Sequence, residues 1–157
     1  MGRIKLECLD KRLNLRRVAR AVYKVLGQKA CFKAEIVFQD GEHMQFLNKT
    51  TRGVDSITDV LSYPSMAGIR GKILTPIDCK TELEGRYIFL GSIALCEEKI
   101  REQAEEYGHT EKREREYLVV HGLLHLFDYD HIDEEDKKEM RDKEKQIMKK
   151  LYPKEEQ

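Results

Sequence analysis

The chain has 157 residues, enough for one domain with a sizeable core. Charged residues make up 37% and hydrophobic ones 40%, the balance of a soluble, helix-rich globular protein, and the formal net charge is zero. No apolar run is long enough to cross a bilayer, and the N-terminal MGRIKLECLDKR lacks an apolar secretory core and a myristoylation pattern.

Zero net charge hides an asymmetry: residues 1–50 hold eleven Lys or Arg against five Asp or Glu. A basic half is compatible with RNA binding without requiring it. Cys8, Cys31, Cys79 and Cys96 are scattered and form no CxxC, which predicts free thiols in a reducing cytoplasm.

Ile4 to Leu9 predicts a short strand. Asn14 caps a helix reaching about Gly27, with Leu15, Val18, Ala19, Val22, Val25 and Leu26 inward and Arg16, Arg17, Arg20 and Lys24 on the wet side. Those arginines read as a solvated face, with phosphate contact as the alternative. Ala34 to Phe38 is a second strand. Asp40 opens a helix that ends near Asn48, which leaves Arg52 in a polar loop. Thr58 to Tyr63 is a third strand, stopped by Pro64. Residues 65–86 predict a loop or loosely packed hairpin, long enough for a lid. Tyr87 to Leu95 is a fourth strand. Glu97 to Tyr107 is a charged helix with Ile100 and Ala104 inward. Thr110 caps the next helix, and Asp133 caps the last, which runs to about Leu151. Pro153 to Gln157 reads as a frayed tail, outside one domain over residues 1–152. The element order predicts an α+β fold, a sheet covered by helices.

The most informative stretch is Tyr117 to Asp133, YLVVHGLLHLFDYDHID, which holds three of the five histidines. His121 and His125 are four apart, so a helix places both imidazoles on one face. His131 follows after Asp128-Tyr129-Asp130, where the chain can turn back. Three histidines so spaced can give three nitrogens to one metal, and zinc with three protein ligands keeps a fourth position open. The flanking Leu118, Val119, Leu123, Leu124, Leu126 and Phe127 bury the helix, and a buried imidazole needs a partner. A purely hydrogen-bonded cluster is the alternative. A closed structural metal site would instead draw a fourth oxygen from Asp128 or Asp130. Of the remaining histidines, His43 reads as a surface residue, and His109 sits in a turn with a structural or supporting role.

HGLLHLFDYDH resembles the HGxLHLxGYDH signature of the YbeY-type endoribonucleases, the bacterial rRNA maturation factors. A second block, Leu47-Asn48, Arg52-Gly53-Val54-Asp55 and Thr58-Asp59-Val60-Leu61-Ser62-Tyr63, resembles that family's LN…R…D…TDVLSF block. Leu90-Gly91-Ser92-Ile93 and the segment Gln103 to His109 also fit, so the resemblance spans about residues 3–150. It implies a mixed four-stranded sheet packed with about five helices. It also implies one zinc ion per chain on His121, His125 and His131, with Arg52 as a further catalytic residue. The activity implied is zinc-dependent cleavage of single-stranded RNA in the cytoplasm, on rRNA or ribosomal subunits, in 16S rRNA 3′-end maturation and ribosome quality control. Two positions depart from the pattern. Asp128 stands where the family has glycine, and Ser92 where it has aspartate, which would remove an acidic group near the cleft.

Arginine is shaped for a phosphate, which makes Arg52 the candidate to stabilise charge there. Asp59, Ser62, Tyr63 and Tyr129 flank these motifs. The first two could brace the arginine or a ligand, or serve the turn and ladder. The tyrosines read as packing beside the histidine helix, with base stacking as the alternative. The histidine spacing also equals that of HExxH metalloproteases, but the proteases' glutamate is here Gly122, which moves no proton. A non-enzymatic, zinc-stabilised ribosome-associated RNA binder is the third reading. At Asp128, a left-handed turn with its carboxylate on nearby backbone N–H groups is expected, rather than a fourth metal ligand.

Overall fold

A computed structural model describes residues 2–10 and 13–155. Five strands and five helices of the described residues form an α+β arrangement: β1 (Arg3–Cys8), α1 (Arg16–Val25), β2 (Cys31–Gln39), α2 (Gly41–Arg52), β3 (Val60–Pro64), β4 (Leu83–Glu84), β5 (Tyr87–Cys96), α3 (Glu97–Tyr107), α4 (Glu111–Leu126) and α5 (Glu134–Leu151). The sheet order is β1-β2-β5-β3, with the two-residue β4 also paired to β5. β1, β2 and β5 run parallel, while β3 and β4 are antiparallel to β5. The expected mixed sheet is therefore present, with β4 as a short addition.

The helix starts follow their capping chemistry. Asp40, Thr110 and Asp133 each accept a hydrogen bond from the backbone N–H three residues on. Asn14 accepts from the Arg16 N–H at the start of α1. β1, α1 and β3 shift by one or two residues from expectation, and two further boundaries differ in ways that matter. β2 begins at Cys31 rather than Ala34, because parallel pairing with β1 starts at Arg3↔Cys31. α2 continues to Arg52 and stops at a left-handed Gly53, so Arg52 is the last helical residue and not a loop residue.

Alternation divides the sheet. Phe32, Ala34, Ile36, Ile93 and Leu95 join the main core with α1, α4 and α5, whereas Leu61, Ala94 and Cys96 pack with Met44 of α2 on the other face. α4 is the central helix. Its second half is apolar nearly all round, with Leu118, Val119, Val120, Leu123, Leu124 and Leu126 buried, which suits a helix enclosed on several sides. It reaches β5 at one glycine. A Cβ on Gly122 would lie 2.9–3.2 Å from three side-chain atoms of Ile93. β5 also carries a bulge. Lys33 pairs with Phe89 and Ala34 with Gly91, so Leu90 is inserted. A Cβ on Gly91 would sit 2.2 Å from the Tyr63 carbonyl, which accounts for glycine there.

Residues 65–86 are not a free lid. Leu74 and Cys79 are buried, and Gln28 bridges the segment by donating to the Lys72 carbonyl (2.7 Å) and accepting from the Leu74 N–H (3.0 Å). Arg70 pairs with Asp136 of α5 at 2.6 Å. These polar partners hold residues 70–74 of the loop, in place of the hydrophobic periodicity that its sequence lacks. Beyond α5, Glu155 accepts from Arg113 at 2.8 Å; Glu156 and Gln157 of the expected tail, and Lys11 and Arg12 of the basic segment, lie outside the described residues.

The Gly122 contact generates a test. Gly122→Ala forces a methyl into Ile93 and is expected to destabilise by ~1–3 kcal/mol. Pairing it with Ile93→Val should recover part of the loss in urea unfolding. Full stability in Gly122→Ala alone would contradict the close approach.

Candidate metal centre

α4 and the turn after it bring the three histidines together. One ligand nitrogen from each of His121, His125 and His131 lies within 4.8 Å of the others, the one such cluster among the described residues. The Nε2 atoms of His121 and His125 are 3.1 Å apart. Nitrogens bound tetrahedrally to one zinc stand ~3.3 Å apart, from Zn–N bonds near 2.0–2.1 Å. The donor set therefore fits zinc or a similar transition ion. His121 and His125 are half-buried and His131 is exposed, so the site opens to solvent at His131.

A carboxylate on α5 sets the first ligand. Glu144 Oε1 lies 2.8 Å from His121 Nδ1, and Glu144 Oε2 accepts from the Tyr117 hydroxyl at 2.8 Å. A carboxylate only accepts, so the imidazole proton sits on Nδ1 and Nε2 keeps its lone pair for the metal. Burial, and then the Glu144 charge, push the Tyr117 hydroxyl well above its usual range, which keeps it a donor. Sequence reasoning missed Glu144. The available signal was its place between Met140 and Ile147-Met148, a charge inside the buried stripe of α5.

His125 is the most perturbed imidazole. Burial first, then the neighbouring His121 and His131, lower its pKa to about 4, against opposing pulls from Asp130 and a backbone hydrogen bond at Tyr129. It is neutral at pH 7, the form that binds metal.

Asp128 takes the left-handed conformation expected of it, with φ 72°. The Asp128 N–H bonds the His125 carbonyl (2.9 Å) and the Tyr129 N–H bonds the Leu124 carbonyl (3.0 Å), which closes α4 by the pattern that glycine usually serves. Its carboxylate accepts from the Gly68 N–H at 2.7 Å, and its carbonyl from Arg70 at 2.8 Å. It is thus tied to the 65–86 segment and is not a member of the metal-ligand cluster. Asp130 accepts from the His131 N–H at 2.7 Å and so holds the turn that presents the third imidazole.

The other candidates fall elsewhere. The Arg52 guanidinium donates to the Ser62 carbonyl and lies 5.5 Å over the Tyr63 ring; it reaches none of the imidazoles. Ser62 thus braces the arginine through its backbone. Asp59 accepts from the Val60 N–H, and its carbonyl takes the Cys96 N–H. Ser92 donates to Glu35 at 3.1 Å on the sheet face opposite Ile93, the face on which its cross-strand partner Tyr63 carries the Arg52 guanidinium. Tyr129 is buried in the main core, while Tyr63 packs with α2. His43 is exposed beside Asp40, and His109 bonds the buried Glu114 at 2.8 Å.

Two measurements follow. Glu144→Ala should weaken metal affinity about 10–100-fold in a competition with a chelator; unchanged affinity would contradict the orienting role. His125 titrates lower in the folded than in the unfolded chain, so the unfolded chain takes up the proton first as pH falls. Metal-free protein should therefore keep its stability above pH ~6.5 and lose on the order of 3 kcal/mol as the pH falls toward 4. A flat urea midpoint over that range, or an equal slope in His125→Gln, would contradict it.

Comparison with known proteins places this geometry. The family model described as Endoribonuclease YbeY matches residues 4–152. An Endoribonuclease YbeY of Clostridium acetobutylicum is 39% identical over 140 residues, covering 86% of this chain and 84% of that protein. One from Caldanaerobacter subterraneus subsp. tengcongensis is 42% identical over 137 residues, 85% of each chain. A solution structure from Thermotoga maritima, 24% identical, shares the fold with a TM-score of 0.58 over 98% of this chain and 90% of that one. The chain belongs to the endoribonuclease YbeY family.

Proposed function

We propose that this chain is a zinc-dependent endoribonuclease of the cytoplasm that cuts single-stranded RNA, with rRNA or ribosomal subunits as its substrate. Maturation of the small-subunit rRNA 3′ end and ribosome quality control are the roles that follow from its family. The observation that carries the reading is the cluster of three imidazole nitrogens within 4.8 Å, open to solvent at His131. Its relatives' printed name, Endoribonuclease YbeY, supplies the reaction class.

His121, His125 and His131 would hold the ion. When bound, zinc supplies a Lewis acid that polarises a phosphoryl oxygen and lowers the pKa of a water. The protein's own groups do the rest. Glu144 keeps His121 in its ligating tautomer. Arg52 offers a planar fork to a phosphate; one N–H is fixed on the Ser62 carbonyl and Tyr63 supports the guanidinium, which leaves further N–H groups for substrate oxygens. A peptidase reading has less support. The position of the proteases' glutamate is Gly122, and a side chain there would run into Ile93 rather than into the cleft.

The test is a cleavage assay on structured RNA with single-stranded tails. Wild-type protein should cut, and His125→Ala should lose activity by at least a hundredfold while remaining folded. Equal activity in both would assign the cleavage to a contaminant. Binding without cleavage in the zinc-loaded wild type would leave the non-enzymatic RNA binder. Arg52→Ala should cut cleavage strongly with metal still bound, and Arg52→Lys should restore only part; full activity in Arg52→Ala would remove it from the mechanism.

A further inference from the structure

A second charged feature lies on the far side of α4. The N-terminal turns of α1 and α4 enclose a groove of about 570 Å³, lined by Arg16, Arg17, Arg20, Lys112 and Arg115 with the single carboxylate Glu116. Arg17 is committed. It clamps Glu116 through two hydrogen bonds of 3.0 Å and also donates to the Leu151 carbonyl at 3.2 Å. Burial acts to raise the Glu116 carboxyl, but Arg17 and the Tyr152 hydroxyl outweigh it and hold it ionised. The one acid of the groove is therefore neutralised inside the fold.

Among the described residues Arg16, Arg20, Lys112 and Arg115 form no salt bridge at contact distance, although Lys112 lies near enough to Glu116 to help hold it ionised. Four cations beside one carboxylate that Arg17 already clamps are a local excess in a chain whose formal charge is zero. Arg16 and Arg20 are one turn apart, ~6 Å along α1, and Lys112 and Arg115 stand three apart on α4. Two short rows of donors thus face one concavity. Arginine in such rows matches phosphate oxygens. The lining holds no aromatic anchor of the kind that centres protein–protein interfaces, and no stacking platform for bases. Its chemistry recognises a sugar-phosphate backbone without reading sequence.

We propose that this groove is a second RNA-binding site, which holds the phosphate backbone of the substrate away from the metal centre. It rests on the ribonuclease reading only for the identity of the strand as substrate. Arg115 precedes His121 by six residues, ~9 Å along α4 and about 120° around it; Lys112 lies ~20 Å from His125. A stacked strand joining Lys112 to His125 needs ~6 nucleotides at 3.4 Å each, and an extended strand about half as many. Short RNA reaches one site and longer RNA reaches both.

The experiment compares wild-type zinc-loaded protein with Arg16→Gln/Arg20→Gln/Lys112→Gln/Arg115→Gln, and with the α1 pair Arg16→Gln/Arg20→Gln alone. Binding of a fluorescent 2′-O-methyl RNA 20-mer is read by anisotropy from 50 to 200 mM salt. Four phosphate contacts contribute a log–log salt slope of ~2.8, about a 50-fold loss of affinity over that range. The fourfold variant should lose that slope, and the α1 pair about half of it. A dinucleotide should bind, and be cut, equally by all three proteins. An unchanged slope for the 20-mer overturns the proposal. So does a variant that loses binding of poly-glutamate but keeps RNA, which would make the groove a protein site. A slope lost in the fourfold variant, together with a wild type that cuts no RNA, keeps this site and rejects the nuclease.

Discussion

The contact of Gly122 with Ile93 is the constraint on which the site depends. It presses α4 onto β5 at a point one residue from the first histidine. With position 122 against the sheet, residues 121 and 125 project about 100° and 60° to one side of that contact. Both imidazoles then emerge along the margin of the sheet, neither buried under it nor free on the outer surface. That margin explains their half-buried state and the depressed pKa of His125. It also explains why a buried helix, apolar nearly all round, can carry two imidazoles without stranding either.

The third imidazole depends on how α4 ends. Asp128 sits in the left-handed position where a side chain costs roughly 1 kcal/mol. The cost is offset locally, because its carboxylate takes the Gly68 N–H and its carbonyl takes Arg70. Arg70 continues to Asp136 on α5, the helix that also carries Glu144. One chain of polar contacts therefore ties the turn, the 65–86 segment and α5 together. The same segment that looks loose by composition holds the turn from which His131 is presented.

Much of this was legible in the sequence, for identifiable reasons. The three histidines, the caps at Asp40, Thr110 and Asp133, and the conformation of Asp128 each follow from short-range rules in which one residue and its near neighbours decide the outcome. The errors share the opposite cause. Residues 65–86 looked loose because Gln28 and Asp128, far away in sequence, hold them. Arg52 looked like a loop residue because α2 runs past Asn48 to the stop at Gly53. The face of Ser92 was not legible, because only its register with Glu35 and Tyr63 reveals it. Glu144 was hidden among the many charges of α5, and its role needs the pairing of α4 with α5. The groove between α1 and α4 has the same character: its arginines were visible as a wet helix face, and their convergence with Lys112 and Arg115 was not.

The central claim is that three imidazoles and no carboxylate bind one metal ion. X-ray absorption at the zinc edge of protein loaded with one equivalent tests it most directly. The account expects three imidazole scatterers near 2.0–2.1 Å and one further light oxygen or nitrogen, with the imidazole count falling to two in His131→Ala. Failure to bind one equivalent, a sulfur shell, or an aspartate oxygen from residue 128 that disappears in Asp128→Asn would contradict it.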